Sequence, residues 1–447
     1  MFFFLLAFIL IAFVAFLQGL ISVFYAGAIT LCICYVFASC TPHSIKKNAI
    51  NLTGLLYCIY WISSAIISLS FENGQMFYVK DPSEYYSLYQ SIHSFKLQEY
   101  IDNLSNLYLT FKDNNALYNS IMAWLAYLGN GCVNGANMMY YTSFHLLFGV
   151  LAALAEYRIM CMLEKPINAF RHTLIFGCLS LYHIYSCVCV RDIWIAATFL
   201  WGIVIVLRKT SLRGLLCLFF LFVFTAGTRI YSGLFFIVFI VYYLYKMAQT
   251  SPVKGVYYIV MFIFGVVALT SAVGALLLEQ TVGDMDALYE EIEGYGVSGL
   301  SAYIIHLPHG FREPVLVFYS QIMPFPSIVY FNEAHTFSHY YTSTIVALFP
   351  LFSFFVFYGL LYVLFFKKKY RMISKEDWIL FGIAILLIMA NSSQMDVRRV
   401  MPSFFIFFYL YIKIFNQNPQ LSKRRINNLL GCGYAGLLLI YTLIKVG

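Results

Sequence analysis

The chain has 447 residues, of which 62% are hydrophobic, 19% aromatic and only 11% charged, and its formal net charge is +8. Soluble domains are close to half apolar and about a quarter charged, so this chain cannot bury its apolar surface within itself and still cover a wet exterior. The composition excludes a soluble enzyme, a nucleic-acid-binding protein and a secreted disulfide scaffold, and it indicates an integral membrane protein.

Apolar runs of roughly 20 residues, the length that a membrane-spanning helix needs, recur along the whole chain. They predict an all-α polytopic membrane protein, with thirteen transmembrane helices in a single membrane domain over 1–447. Only Gln18-Gly19 separates the first two spans, so residues 1–40 could form one helix or two. The predicted spans are 1–17, 19–39, 49–71, 137–160, 170–188, 192–207, 213–227, 231–247, 255–278, 341–366, 377–393, 400–416 and 427–445.

Lys and Arg are concentrated in the loops that this topology places on the side of the N-terminus. Those loops hold 19 of the 28 Lys and Arg residues but only 4 of the 20 acids. Cytoplasmic loops carry such an excess of cations, so the N-terminus is predicted to be cytoplasmic. The four acids are Glu156, Glu164, Glu376 and Asp377.

Two long hydrophilic regions, 72–136 and 279–340, then lie on the outer side of the membrane. Each contains an apolar stretch that is too short or too interrupted by proline to cross the bilayer, at 116–128 and at 312–330. Stretches of this kind are expected to form short amphipathic or re-entrant helices.

Five arginines lie on the predicted outer side, where positive charge should be rare. Guanidinium groups bind phosphate and carboxylate bidentately, and ionisable groups at membrane depth are usually functional. The five therefore predict an outward-facing anion site. For any single arginine the alternative is contact with lipid headgroups, or pairing with the neighbouring Asp192 or Asp396. The arginines are Arg191, Arg229, Arg312, Arg398 and Arg399.

Two carboxylates open the first outer loop beside aromatic side chains. Asp81 and Glu84 are candidates for a general base that activates a sugar hydroxyl, and the neighbouring Tyr85 could stack on a sugar ring. The same stretch, Asp81-Pro82-Ser83, also fits an ordinary helix start, with Asp or Ser as the cap and Pro in the first turn.

Histidines are also concentrated in the outer loops. His309, His335 and His339 are candidates for acid–base or hydrogen-bonding roles, because imidazole titrates near neutrality. As zinc ligands they are poor candidates, since no carboxylate or cysteine stands at a matching offset. No metal and no cofactor is predicted.

Several short sequences support a family resemblance. They are Asp81-Pro-Ser-Glu-Tyr-Tyr, Arg191-Asp-Ile-Trp, Thr228-Arg-Ile-Tyr, Pro324-Phe-Pro326 and the segment from His335 to Tyr341. With ten or more helices, two outer loops and outward arginines, the chain resembles the Wzy-type polysaccharide polymerases, including their EpsG-like branch, and more distantly the O-antigen ligases.

The resemblance implies a GT-C-like membrane fold and a place in a bacterial inner membrane. The implied reaction transfers a growing glycan from undecaprenyl pyrophosphate to a hydroxyl of a lipid-linked repeat unit on the outer face. Arginines would then stabilise the pyrophosphate without a metal. The implied partners are lipid-linked oligosaccharides, membrane lipids, a chain-length regulator and a flippase, and no nucleic acid.

Two other functions remain open. One is a flippase or transporter of lipid-linked oligosaccharide, and the other is a GT-C transferase that uses a polyprenyl-phosphate sugar. Transport usually needs a charged pathway through the bilayer, and the predicted helix centres are nearly free of ionisable groups. The sequence therefore favours the polymerase.

Overall fold

The structure, a computed structural model, describes most of the predicted helices and part of the outer regions. All regular secondary structure within these residues is helical. Five predicted site residues, Asp81, Glu84, Tyr85, His309 and His335, lie outside the described residues, as does most of the predicted span 255–278. The described residues are 1–68, 116–132, 135–250, 254–258, 260–261, 304, 307–308, 310–323, 325, 336–390 and 397–446.

Contacts divide the chain into two compact units, and each is described by itself. The first unit comprises the described residues of Met1–Cys178, Tyr182–Glu290 and Thr336–His339. Its helices are α1 (Phe2–Gln18), α2 (Ile21–Ser39), α3 (His43–Ser68), α4 (Ala116–Ala126), α5 (Met138–Met160), most of α6 (Pro166–Leu179), most of α7 (Leu181–Ser186), α8 (Asp192–Leu207), α9 (Leu212–Thr228) and α10 (Ile230–Thr250).

The second unit comprises the described residues of Leu179–Leu181, Glu291–His335 and Tyr340–Gly447. Its helices are α11 (Arg312–Tyr319), most of α12 (Phe337–Leu361), α13 (Lys375–Ala390), α14 (Met401–Gln417) and α15 (Lys423–Val446). Short 3-10 helices at Lys369–Met372 and Val397–Val400 precede α13 and α14.

Within the described ranges, five helices are long and apolar enough to cross a membrane. This supports the prediction of a helical membrane protein, while the total of thirteen spans stays a prediction. Shorter apolar helices of 10–17 residues are α1, α8, α9 and Phe235–Gln249 of α10. The five candidate spans are α2, α3, α5, Phe337–Phe366 and Lys423–Leu443.

Residues 1–40 form two helices rather than one. α1 ends at Gln18 because Gly19 adopts the left-handed conformation, with φ of 64°, which glycine reaches at little cost. The side chain of Asn137, which caps the start of α5, donates to the Gln18 amide oxygen at 2.8 Å. The question that the sequence left open, one helix or two, is answered by two helices that meet at Gln18-Gly19.

Ring contacts fix the relative direction of α5 and α8. The rings of Phe148, in the middle of α5, and Trp194, in the first turn of α8, stack at 4.3 Å. Further along both helices, the Arg158 guanidinium lies 5.0 Å from the centre of the Trp201 ring. The two helices therefore run parallel, as the predicted order of spans requires; the side of the membrane that each end faces stays a prediction.

The predicted span 170–188 is divided into α6 and α7 near Ser180. Two carbonyl groups near the end of α6 accept hydrogen bonds from side chains. The Tyr60 hydroxyl donates to the Gly177 carbonyl at 3.0 Å, and Nδ1 of His183 lies 3.1 Å from the Cys178 carbonyl. These contacts satisfy groups that a helix end leaves without partners, so the chain can turn there.

The two short apolar stretches of the outer regions form α4 and α11. In the first unit, the Tyr118 hydroxyl of α4 lies 2.9 Å from Nε2 of His145, two turns inside α5. In the second unit, Tyr358 donates to the Phe318 carbonyl at 3.1 Å, which places the end of α11 against the later half of α12. Each stretch is thus attached to the interior of a candidate span.

Candidate anion-binding site

A buried ion pair joins two consecutive helices of the first unit. Asp192 is the first residue of α8, and Arg229 immediately follows the last residue of α9. Nη1 of Arg229 lies 2.7 Å from Oδ1 of Asp192, and the two side chains are only 3% and 4% exposed. Charges buried to this extent are costly unless they are paired, so the pair fixes both side chains.

The backbone at the junction of α9 and α10 explains why the Arg229 side chain lies beside the start of α8. Arg229 is the single residue between α9 and α10, and its backbone is extended, with φ of −159° and ψ of 115°. Its N–H donates to the Thr225 carbonyl at 2.8 Å. The Thr225 hydroxyl donates to the Thr198 hydroxyl of α8 at 2.9 Å, which links α9 to α8 close to the ion pair.

Two buried donors near this pair have no hydrogen-bond partner in the described part of the chain. They are Nε of Arg229 and the indole Nε1 of Trp194, which lies in the first turn of α8. Both groups can only donate. A ligand that satisfied them would have to supply acceptor oxygens, and phosphate groups do so with negative charge.

Arg191 completes the arrangement, which we call the arginine site and define as Arg191, Asp192, Trp194 and Arg229. Arg191 occupies the N-cap position of α8, and its carbonyl accepts the N–H of Trp194 at 2.9 Å. These four residues carry two guanidinium groups and one carboxylate, so their summed charge is positive, and the carbonyl contact with Trp194 places the backbone of Arg191 beside the pair. A positive, donor-rich site of this kind suits an anion.

Aromatic side chains surround Trp194 and connect the site to α4. The Trp194 ring lies 5.1 Å from the Tyr118 ring and 5.6 Å from the His145 ring. His145 is fully buried, with Nδ1 3.0 Å from the Tyr141 carbonyl and Nε2 2.9 Å from the Tyr118 hydroxyl. Because the carbonyl can only accept, we assign the proton to Nδ1 and the acceptor role to Nε2.

Sequence reasoning missed His145, and it named Asp192 as an alternative partner for the outer arginines without identifying Arg229 as the one that pairs with it. A histidine inside the predicted span 137–160 was a usable signal, because ionisable groups in spans are rare and usually functional. The pairing of Asp192 with Arg229 carried no such signal, since Arg191 is the arginine next to Asp192 in sequence.

The other three predicted arginines lie in the second unit. Arg312 is the first residue of α11 and is buried, and its N–H donates to the Pro308 carbonyl at 3.1 Å. Arg398 and Arg399 lie in the 3-10 helix before α14 and are partly buried. Both α11 and this 3-10 helix pack against α13. The convergence of all five arginines on one site stays a prediction.

Only one of the predicted bases is described. His339 lies in the first turn of α12, partly buried, and its N–H donates to the Thr336 hydroxyl at 3.2 Å, which caps the helix. Within the part of the chain that the structure describes, no group of three or more His, Cys, Asp and Glu side chains is placed to hold a metal.

A second buried ionisable group lies in α5. Glu156 is 1% exposed, and neither of its carboxyl oxygens has a hydrogen-bond partner in the described ranges. Sequence analysis counts it with the acids of the inner loops, whereas the structure places it inside the first unit.

Comparisons with known proteins return no match: no family model, no curated protein and no solved structure matches this chain. The resemblance to polysaccharide polymerases stays a prediction from the sequence.

Proposed function

We propose that this protein is a membrane glycosyltransferase of the polysaccharide polymerase type. It transfers a growing glycan from undecaprenyl pyrophosphate to a hydroxyl of a lipid-linked repeat unit. The observation that carries the proposal is the buried guanidinium of Arg229, held by Asp192, with an Nε donor that has no partner in the described residues. A lipid pyrophosphate supplies the acceptor oxygens and the negative charge that this donor needs.

The proposed reaction forms one bond at the anomeric carbon and breaks another. The acceptor hydroxyl attacks that carbon, the bond to the pyrophosphate oxygen breaks, and the leaving group keeps the electron pair. Arg191 and Arg229 stabilise the charge that develops on the pyrophosphate, and Asp192 holds Arg229 in position beforehand. A base accepts the hydroxyl proton, and the candidates are Asp81, Glu84, His309, His335 and His339.

Sequence-derived expectations complete the proposal. The arginine site faces outward in a bacterial inner membrane, the fold is GT-C-like, and a flippase and a chain-length regulator act with the enzyme. The positive-inside bias of the loops and the all-helical architecture support this arrangement.

A transporter of lipid-linked oligosaccharide is the second candidate, and Glu156 is the observation that favours it. Ionisable side chains buried within spans mark ion and substrate pathways in transporters. Glu156 lies within α5, a candidate span, with both carboxyl oxygens lacking a described partner.

An assay in detergent distinguishes the two candidate functions, because it contains no membrane across which a transporter could move its substrate. Purified protein in detergent receives two lipid-linked repeat units, and glycan length is measured by gel electrophoresis. The polymerase predicts longer glycans, which Arg229→Lys strongly reduces because a point charge does not reproduce the bidentate guanidinium. Arg213→Lys, at an exposed arginine, is the matched control. No extension by the unmodified protein with any tested donor would favour transport.

A further inference from the structure

A cavity of about 520 Å³ opens at the beginning of α3. Four of its lining residues have polar side chains: His43, and then Lys46, Lys47 and Asn51, which follow His43 in α3 by three, four and eight positions. This spacing places them on one helical face. The other described lining residues are Met1 and Ile50.

The cations of this cavity have no described counter-charge. His43, Lys46 and Lys47 make no hydrogen bond or ion pair within the described ranges, and no carboxylate is among the lining residues given above. Lys46 is half-buried, whereas Lys47 and His43 are exposed. Two lysine side chains therefore line one cavity without a described counter-charge.

Two other cations at this end of the first unit, Arg158 and Lys246, contact neighbouring helices. The Tyr157 hydroxyl donates to the Ile45 carbonyl at 3.4 Å, so the end of α5 lies beside the start of α3. At that end Arg158 lies over an indole ring, and Lys246 donates to the Val206 carbonyl at 3.0 Å. The lysines of the cavity have no comparable protein contact.

The surface next to the cavity is apolar. α1 packs against α3, and the first residues of α1 expose large hydrophobic side chains, with Phe2 70% and Leu5 63% exposed. A cavity that is lined by two lysines and adjoins an exposed apolar helix matches an amphiphile with an anionic head and hydrocarbon tails.

We infer that this cavity binds the phosphate headgroup of an anionic phospholipid, with Lys46 and Lys47 on the phosphate and the acyl chains along α1. Lysines near a membrane surface attract anionic headgroups, and the amide of Asn51 supplies a further donor. The inference does not depend on the proposed glycosyl transfer, because the arginine site shares no residue with this cavity.

The test is native mass spectrometry of the full chain in detergent, titrated with phosphatidylglycerol or with phosphatidylcholine. We expect one tightly held phosphatidylglycerol per chain and weaker binding of phosphatidylcholine. The variant Lys46→Gln/Lys47→Gln should bind phosphatidylglycerol about 30-fold more weakly, since each lysine near an anionic headgroup contributes about fivefold. Lys209→Gln/Arg213→Gln removes the same charge from exposed residues outside the cavity and should bind as the unmodified protein does.

Two further measurements distinguish a lipid phosphate from inorganic phosphate and control for misfolded variants. Inorganic phosphate at millimolar concentration should not displace the lipid, and displacement by it would overturn the assignment to a lipid. The single variant Lys47→Gln, at an exposed residue, should weaken binding about fivefold while preserving the melting temperature. Equal affinity of both double variants, or equal binding of the two lipids, would also overturn the inference.

Discussion

The guanidinium of Arg229 and the carboxylate of Asp192 lie 2.7 Å apart inside the first unit, although the whole of α8 and α9 separates them in sequence. This pair explains why two buried charges are tolerated at one helix junction. It also leaves the guanidinium with a buried Nε that no described residue accepts. The proposed anion site depends on both features: Asp192 holds the guanidinium in place, and its Nε–H remains able to donate to a ligand.

Removal of the carboxylate should destabilise the protein. Asp192→Ala leaves Arg229 buried without its counter-charge, which we expect to cost about 3–5 kcal/mol. The double variant Asp192→Ala/Arg229→Ala removes both charges and should recover part of that loss. Thermal unfolding in detergent measures both effects, and an Asp192→Ala protein that melts like the unmodified one would refute the buried pair.

The contact between Tyr118 and His145 should hold α4 against α5. Tyr118→Phe leaves the buried Nε2 of His145 without its donor, and we expect a loss of about 1–3 kcal/mol. Hydrogen exchange of the backbone amides should become faster in α4, residues 116–126, by a larger factor than in α5. Tyr25→Phe, at an exposed tyrosine, is the control; equal exchange in the two variants would contradict the assignment.

The sequence predicts the helical membrane architecture because the length of an apolar run directly limits what can cross a bilayer. It marks Gln18-Gly19 as a place where residues 1–40 could divide, but only the left-handed conformation of Gly19 shows that they do. It offers Asp192 as an alternative partner for the outer arginines but does not single out Arg229, and it does not predict the division near Ser180. Both depend on contacts between residues remote in sequence, such as Tyr60 with Gly177.

Glu156 offers a test that separates structure from transport. A buried carboxyl group without a hydrogen-bond partner costs about 1–3 kcal/mol, so Glu156→Leu should raise the melting temperature. If the protein is a polymerase, the same variant should retain glycan extension in detergent. If the variant melts at a higher temperature but no longer extends the glycan, the Glu156 carboxyl group takes part in the reaction, and the proposed mechanism, which gives it no role, is wrong.

The most direct test of the arginine site is the affinity for undecaprenyl pyrophosphate, compared with that for undecaprenyl phosphate. Isothermal titration calorimetry in detergent would compare the unmodified protein, Arg229→Lys and the double variant Asp192→Ala/Arg229→Ala. Arg229→Lys retains a positive charge beside Asp192, so lost affinity cannot be ascribed to an unpaired carboxylate. A lost charge-assisted hydrogen bond corresponds to about 1.5–3 kcal/mol, or roughly 10- to 100-fold in affinity. We predict that loss for the pyrophosphate lipid in both variants, and equal affinity in all three proteins would contradict the account.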